Sequence, residues 1–226
     1  MRCLKPIVWS GVAILTLSLP LPVFAADANV PVYNPPPRGA PGGRVGGGTR
    51  GPGQRDVFVL SVLAPDHSGL TASEQPSLYW FISKTTSLPI ELTVMEPDGI
   101  QPILETRLPA PNRPGIQQVR LADYKINLKP GMAYRWFVAV VPDADRRSKD
   151  ILAGGAIERV DMPSELKAKL ATANKSELFS LYAGAGMWYD AVAAISEMID
   201  AAPQDQVLRK QRAALLSQVG LAAITD

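Results

Sequence analysis

The sequence predicts an α+β protein: an N-terminal β-sandwich, then a C-terminal helical hairpin or bundle packed on it. Three observations predict this. Between residues 56 and 161, short apolar runs alternate with turn signals at the spacing of strands. From 162 to 226 the apolar period becomes that of helices. Residues 26–55, ahead of both, are too rich in proline and glycine to form either.

The chain begins with a secretory signal. Arg2 and Lys5 form a positive n-region, Ile7 to Leu19 an apolar run of 13 residues, and Val23-Phe24-Ala25 a cleavage site closing residues 1–25. A membrane span needs about 20 apolar residues, so this run, broken by Pro20 and Pro22, is not expected to anchor the protein. Residues 26–55 read as a linker. Asn34-Pro35-Pro36-Pro37 favours extended geometry, and the glycine-dense stretch from Gly39 to Gly53 has Arg38, Arg44, Arg50 and Arg55 spaced through and beside it. With few apolar side chains to bury, the stretch is expected to be a flexible tether.

Seven strands are expected in residues 56–161. They fall at Val57–Leu63, Leu78–Ile82, Ile90–Val94, Ile103–Leu108, around Val119 and Leu121, at Tyr134–Val141 and at Ala156–Val160. Ile90-Glu91-Leu92-Thr93-Val94 alternates apolar with polar, so one face is buried, and Pro97-Asp98-Gly99 turns the chain back. This number of strands in about 100 residues is that of an immunoglobulin-like sandwich.

In 162–226, Pro163 opens a short helix bearing Leu166 and Leu170. Asn174 and Glu177 are spaced as a capping box, ahead of a helix carrying Leu178, Leu181, Tyr182 and Ala185 that Gly184 and Gly186 end. Trp188, Ala191, Val192, Ile195 and Ile199 share one face of the next helix, which stops before Pro203. A last helix, from about Asp205, carries Leu208, Leu215 and Val219.

Composition narrows the chemistry. The chain has 23 Lys+Arg against 21 Asp+Glu, and loss of residues 1–25 would remove Arg2 and Lys5 and leave 21 of each. That balance gives no reason to expect nucleic acid as a partner. Cys3, the single cysteine, would leave with the signal, and with it any disulfide, thiol nucleophile or thiolate metal site. One histidine remains, His67, in Pro65-Asp66-His67-Ser68-Gly69. Asp, His and Ser side by side cannot form a triad, because the base must face its nucleophile from another part of the fold. Asp143 and Asp145 stand among Arg146, Arg147 and Lys149, a self-compensating cluster that would repel a cation. No metal or cofactor is expected.

Tyr79-Trp80-Phe81 and Tyr134-Arg135-Trp136-Phe137 place adjacent aromatics on opposite sheet faces. One face is core. The other is either an outward platform for a sugar or protein, or is covered by the helices, whose Tyr182, Trp188 and Tyr189 need an apolar surface. His67, Tyr79, Phe81, Trp188 and Tyr189 are therefore the candidate binding residues. The reading they support is a non-enzymatic interaction module in the periplasm or outside the cell. Its expected partner is a protein of the cell envelope. Binding of an envelope polysaccharide is the alternative, and a hydrolase using His67, or Asp143 with Asp145, is the second.

Three resemblances accompany these readings. Leu128-Lys129-Pro130-Gly131-Met132-Ala133-Tyr134 resembles the segment before the sixth strand of fibronectin type III domains, where the tyrosine hydroxyl bonds back to the preceding backbone. Leu178, Tyr182, Gly186, Trp188, Ala191, Ile195, Met198 and Pro203 are spaced as in one tetratricopeptide repeat, with Lys175 and Phe179 departing from its pattern. Finally, Ala64–Thr71, Gln75–Trp80, Tyr134–Val138, Ile157–Val160 and Gly186–Ala191 occur in an order that resembles the domain-of-unknown-function family 928. That family comprises exported bacterial proteins, and the resemblance implies an architecture without a reaction. Its members occur beside genes for membrane signalling proteins, which implies a partner at the inner membrane.

Overall fold

The structure, a computed structural model, describes residues 30–37, 43–48 and 59–224. The expected signal segment and the start of the first expected strand, at Val57, lie outside the described residues.

The elements in chain order are β1 (Gly47–Gly48), β2 (Val59–Val62), β3 (Gly69–Thr71), β4 (Ser77–Ile82), β5 (Ile90–Met95), β6 (Leu104–Leu108), β7 (Gly115–Arg120), β8 (Ala133–Val140), β9 (Ile151–Arg159), α1 (Ser164–Thr172), α2 (Leu178–Gly184), α3 (Trp188–Ala201) and α4 (Gln206–Ser217). The architecture is α+β. One sheet has the order β1-β2-β4-β7 and the other β3-β9-β8-β5-β6. Each pair is antiparallel except β3 with β9.

Alternation fixes which side chains turn inward. Ile90, Leu92 and Val94 of β5 are buried between partly exposed neighbours, and Tyr134, Trp136, Val138 and Val140 repeat the pattern on β8. β4 is buried on both sides. Leu78, Trp80 and Ile82 share one of its faces; Tyr79 and Phe81 lie on the other, where α3 packs. Of the two arrangements open from sequence, the helices cover that face. The Lys129 backbone N–H donates to the Tyr134 hydroxyl at 3.0 Å, the bond the Pro-Gly-x-x-Tyr motif implies.

The helices stand where the sequence places them, but α2 ends at Gly184 and α4 at Ser217, so Ala185 and Val219, expected on those helices, lie just beyond them. Asn174 and Glu177 make the reciprocal cap, the Asn174 N–H donating to Glu177 Oε2 at 2.9 Å. Asp205 caps α4 by accepting from Val207 and Leu208. The packing of α2 also differs. Leu178, Leu181 and Tyr182 are only half-buried, while Phe179 is 1% exposed in a small core with Ile195, Ile199 and Leu208. A phenylalanine there fills the space between α2, α3 and α4 that a small residue would leave to a neighbouring repeat.

Two further differences matter for function. β3 was not expected: three residues pair in parallel with the end of β9, which begins at Ile151 and not near Ala156. Residues 30–37 and 43–48, expected to be part of a tether, run against the folded units as a strap. Tyr33 is 7% exposed. Val45 exchanges two backbone bonds with Gly154, and β1 adds to the edge of β2. Gln218, after α4, accepts from the Tyr33 N–H at 2.9 Å and donates to the Pro31 carbonyl at 2.7 Å. Gly186 has φ +76, and a Cβ there would come within 2.8 Å of the Asn34 carbonyl oxygen, so the strap's approach requires glycine.

Candidate functional site

Two places bring polar groups together: a seam where the strap, the β2–β3 crossover and the start of α3 meet, and a cleft between β7 and the last two helices.

The seam holds three of the sequence candidates. Trp188 Nε1 donates to the Leu63 carbonyl at 2.8 Å. Tyr189 reaches between the sheets, where its hydroxyl accepts from Trp136 Nε1 and donates to the Ala156 carbonyl, both at 2.9 Å. Burial pushes its ionisation well above the ordinary range, so the hydroxyl stays neutral. Trp188 and Tyr189, at 0% and 2% exposure, form no outward platform. They lock α3 to the two sheets, because two large amphipathic rings are most stable where both ring and N–H or O–H are satisfied. A Cβ on Gly155 would press within 2.6 Å of Ala64 and 3.2 Å of Trp136 Nε1, so this close packing needs glycine.

His67 faces the strap. Its Nε2 is hydrogen-bonded to the Tyr33 hydroxyl at 2.9 Å, and the rings stack with centroids 5.9 Å apart. Tyr33 in turn meets Trp188 edge-on at 4.9 Å. Burial lowers the imidazole pKa, opposed by the nearby Asp66. The neighbouring Ser68 hydroxyl is buried without a hydrogen-bond partner among the described residues. The histidine is thus engaged by a tyrosine, and the serine beside it is not positioned as its nucleophile.

Asp190, one residue on, fastens α3 to the end of β3. Its Oδ2 accepts from the Ala72 N–H at 3.0 Å, and the Thr71 hydroxyl and Ser73 N–H also face it. Burial outweighs these donors and raises its pKa to about 6.

The cleft has a volume of about 540 Å³, within the usual range for ligand sites. β4 and β7 supply Tyr79, Gln117 and Gln118; the loop before β7 supplies Asn112 and Arg113; the helices supply Ser196, Asp200, Arg209 and Arg212. Tyr79 is 3% exposed, so its ring is core and not platform, but the residue lines the cleft. Its hydroxyl accepts from Gln118 Nε2 at 2.9 Å. Burial, reinforced by Glu197 and Asp200, pushes its pKa up to about 12 against the opposing effects of Ser196 and Arg212. Arg212, 6% exposed, donates to Ser196 Oγ at 3.0 Å, and Arg209 to the Pro203 carbonyl at 2.9 Å.

Phe81 is half-buried and is not among the residues lining the cleft. Asp143 accepts from the Asp145 N–H and pairs with Arg146 and Lys149, so its carboxylate is occupied within its own exposed loop. Among the described residues no three His, Cys, Asp or Glu side chains cluster as metal ligands would, and no helix is long and apolar enough to cross a membrane.

The cleft arginines were missed from sequence. Arg212 carried a signal, since it interrupts the apolar stripe running from Leu208 to Leu215; Arg113 sits in an ordinary proline-rich loop and carried none.

The model of the Domain of Unknown Function family DUF928 matches residues 45–226. The chain belongs to this family. The match takes in both sheets and all four helices, so the cleft lies within the DUF928 region, as does the seam apart from the strap residues before Val45, Tyr33 among them. No curated protein matches the chain.

Proposed function

We propose that this protein is an exported, non-enzymatic binding module of the cell envelope that takes its ligand in the cleft between β7 and the α3–α4 pair. The observation that carries this reading is the cleft itself. Two differently built units meet along it, and hydrogen-bonding side chains from the sheet, a loop and two helices converge on one space. His67, the centre of the hydrolase alternative, is bonded to Tyr33 in the seam, which favours an architectural role.

The sandwich reads as immunoglobulin-like. Taken without β1 and β3, the strand order is β2-β4-β7 opposite β9-β8-β5-β6, as in fibronectin type III domains, and the Tyr134 bond supports the same reading. The α2–α3 hairpin has the form of one tetratricopeptide repeat, with its outer side closed by α4. The leader-like residues 1–25 support export to the periplasm or beyond.

A photo-crosslinking residue placed at Asn112, which is exposed at the cleft, tests the reading in native cells. It is expected to give a discrete adduct that the same probe at Ile100, on the distant β5–β6 turn, does not. Equal capture at both positions, or none at Asn112, overturns the proposal.

A further inference from the structure

We infer that the seat of the strap is a peptide-recognition groove, filled in this chain by its own residues 30–37, and that it also takes an extended segment of a partner protein with the same chemistry, a Pro-x-Tyr-Asn-Pro run. The groove shares no lining residue with the cleft and stands whether or not the cleft takes a ligand. The strap is held as a bound peptide is held. The groups that meet it come from elsewhere in the fold: His67 from the β2–β3 crossover, Ala183 and Gly184 from the end of α2, Gly186 and Trp188 from the turn into α3, and Gln218 from beyond α4. Gln218 clasps the backbone on either side of Val32, accepting from the Tyr33 N–H and donating to the Pro31 carbonyl. The Asn34 N–H donates to the Ala183 carbonyl at 3.1 Å, and its Nδ2 to the Gly184 carbonyl at 2.9 Å. The tyrosine ring fills a slot between His67, stacked on it, and Trp188, edge-on to it.

The pattern of burial is that of an extended ligand. Pro31 and Tyr33 are buried, while Val30, Val32, Asn34 and Pro35 are exposed, so alternate side chains are read and main-chain bonds supply the rest. Prolines around the tyrosine hold such a segment extended before it binds, which lowers the entropy lost on docking. Gly186 limits what fits. A Cβ there would come within 2.8 Å of the Asn34 carbonyl oxygen, so bare backbone lies against bare backbone. A helix, sheathed in its own side chains, could not approach so closely. Release of the strap needs no unfolding. Residues 43–48 keep their own attachment through the bonds of Val45 to Gly154 and the pairing of β1 with β2, so residues 30–37 can leave while the rest of the strap stays. A segment tethered to its own groove competes at high effective concentration. The strap therefore sets a threshold that a partner segment must exceed.

Fluorescence anisotropy with a labelled octapeptide, Val-Pro-Val-Tyr-Asn-Pro-Pro-Pro, tests this on the purified protein. Tyr33→Ala empties the slot of the chain's own ring and is expected to bind the peptide at least about tenfold tighter than wild type, because apparent affinity scales with the fraction of molecules whose groove is open. Asn34→Ala removes one bond, from an exposed side chain and without opening a cavity, and is expected to tighten binding about threefold. It carries the test if Tyr33→Ala does not fold. The same octapeptide with alanine for tyrosine is expected not to bind. In NMR spectra of Tyr33→Ala, the His67 ring signals are expected to return toward their wild-type positions as the peptide's tyrosine fills the slot. Absence of binding to the folded variants, equal affinity for wild type and variants, equal binding of the alanine peptide, or unmoved His67 signals overturns the inference. A wild-type dimer by light scattering that dissociates in Tyr33→Ala also overturns it, since the occupant would then be the strap of a second copy.

Discussion

Replacing Asp190 by asparagine separates two opposing influences on one carboxylate. Four donors around it, from Ala72, Thr71, its own backbone N–H and Ser73, favour the charged form; burial at the α3–β3 junction favours the neutral form and prevails, taking the pKa from 3.8 to about 6. The folded protein therefore holds this proton more tightly than the unfolded chain. Stability from this group is fully present below about pH 4, is lost as pH rises through about 6, and is flat above that. At about 1.4 kcal/mol for each pH unit, the loss is about 3 kcal/mol. Urea denaturation of wild type and Asp190→Asn across this range isolates the effect, because groups common to both proteins cancel. The difference in unfolding free energy, wild type minus variant, is expected to fall by that amount between about pH 4 and 7. A flat difference would refute the reasoning. A difference that rises with pH would show that the donors win over burial.

Other changes probe the seam and the corner. Trp188→Phe replaces the buried indole by a smaller ring and strips the Leu63 carbonyl of its donor, so chemical denaturation should show a loss of at least about 1–3 kcal/mol from the missing donor, with the lost volume adding to it. Tyr134→Phe removes the bond from the Lys129 N–H and should cost about 0.5–1.5 kcal/mol by the same assay. Tyr33→Ala uncovers His67, and NMR titration of the single imidazole should show its pKa returning upward toward 6.5 as burial is relieved. Phe179→Ala opens a cavity among Ile195, Ile199 and Leu208 and should destabilise the protein by about 3–5 kcal/mol.

How much was legible depended on whether a pattern was local. β4, β5, β6 and β8 announced themselves through apolar alternation and turn residues, and the face of α3 through its 3.6-residue period. The choice between platform and second core at Tyr79 was open because alternation tells which residues share a face but not what covers it. β3 was illegible: three residues held in parallel register by β9 carry no period of their own. The strap was hidden by its composition, since proline and glycine suggest a tether while Tyr33 and Arg44 find partners at the far end of the chain. The cleft was illegible as a set because Arg113 and Arg209 are brought together only when the sheet meets the helices.

The strap also constrains the order in which the molecule can assemble. Its anchors are Ala183, Gly184 and Gln218, up to 187 positions away along the chain. A polypeptide delivered amino end first releases Tyr33 long before the residues that receive it. The segment emerging earliest is thus the one seated last, and contacts of such long range are the slowest to form. Truncations that spare every strand but remove residues after Ser217 should leave that segment unseated, accessible to protease, and the lone imidazole bared.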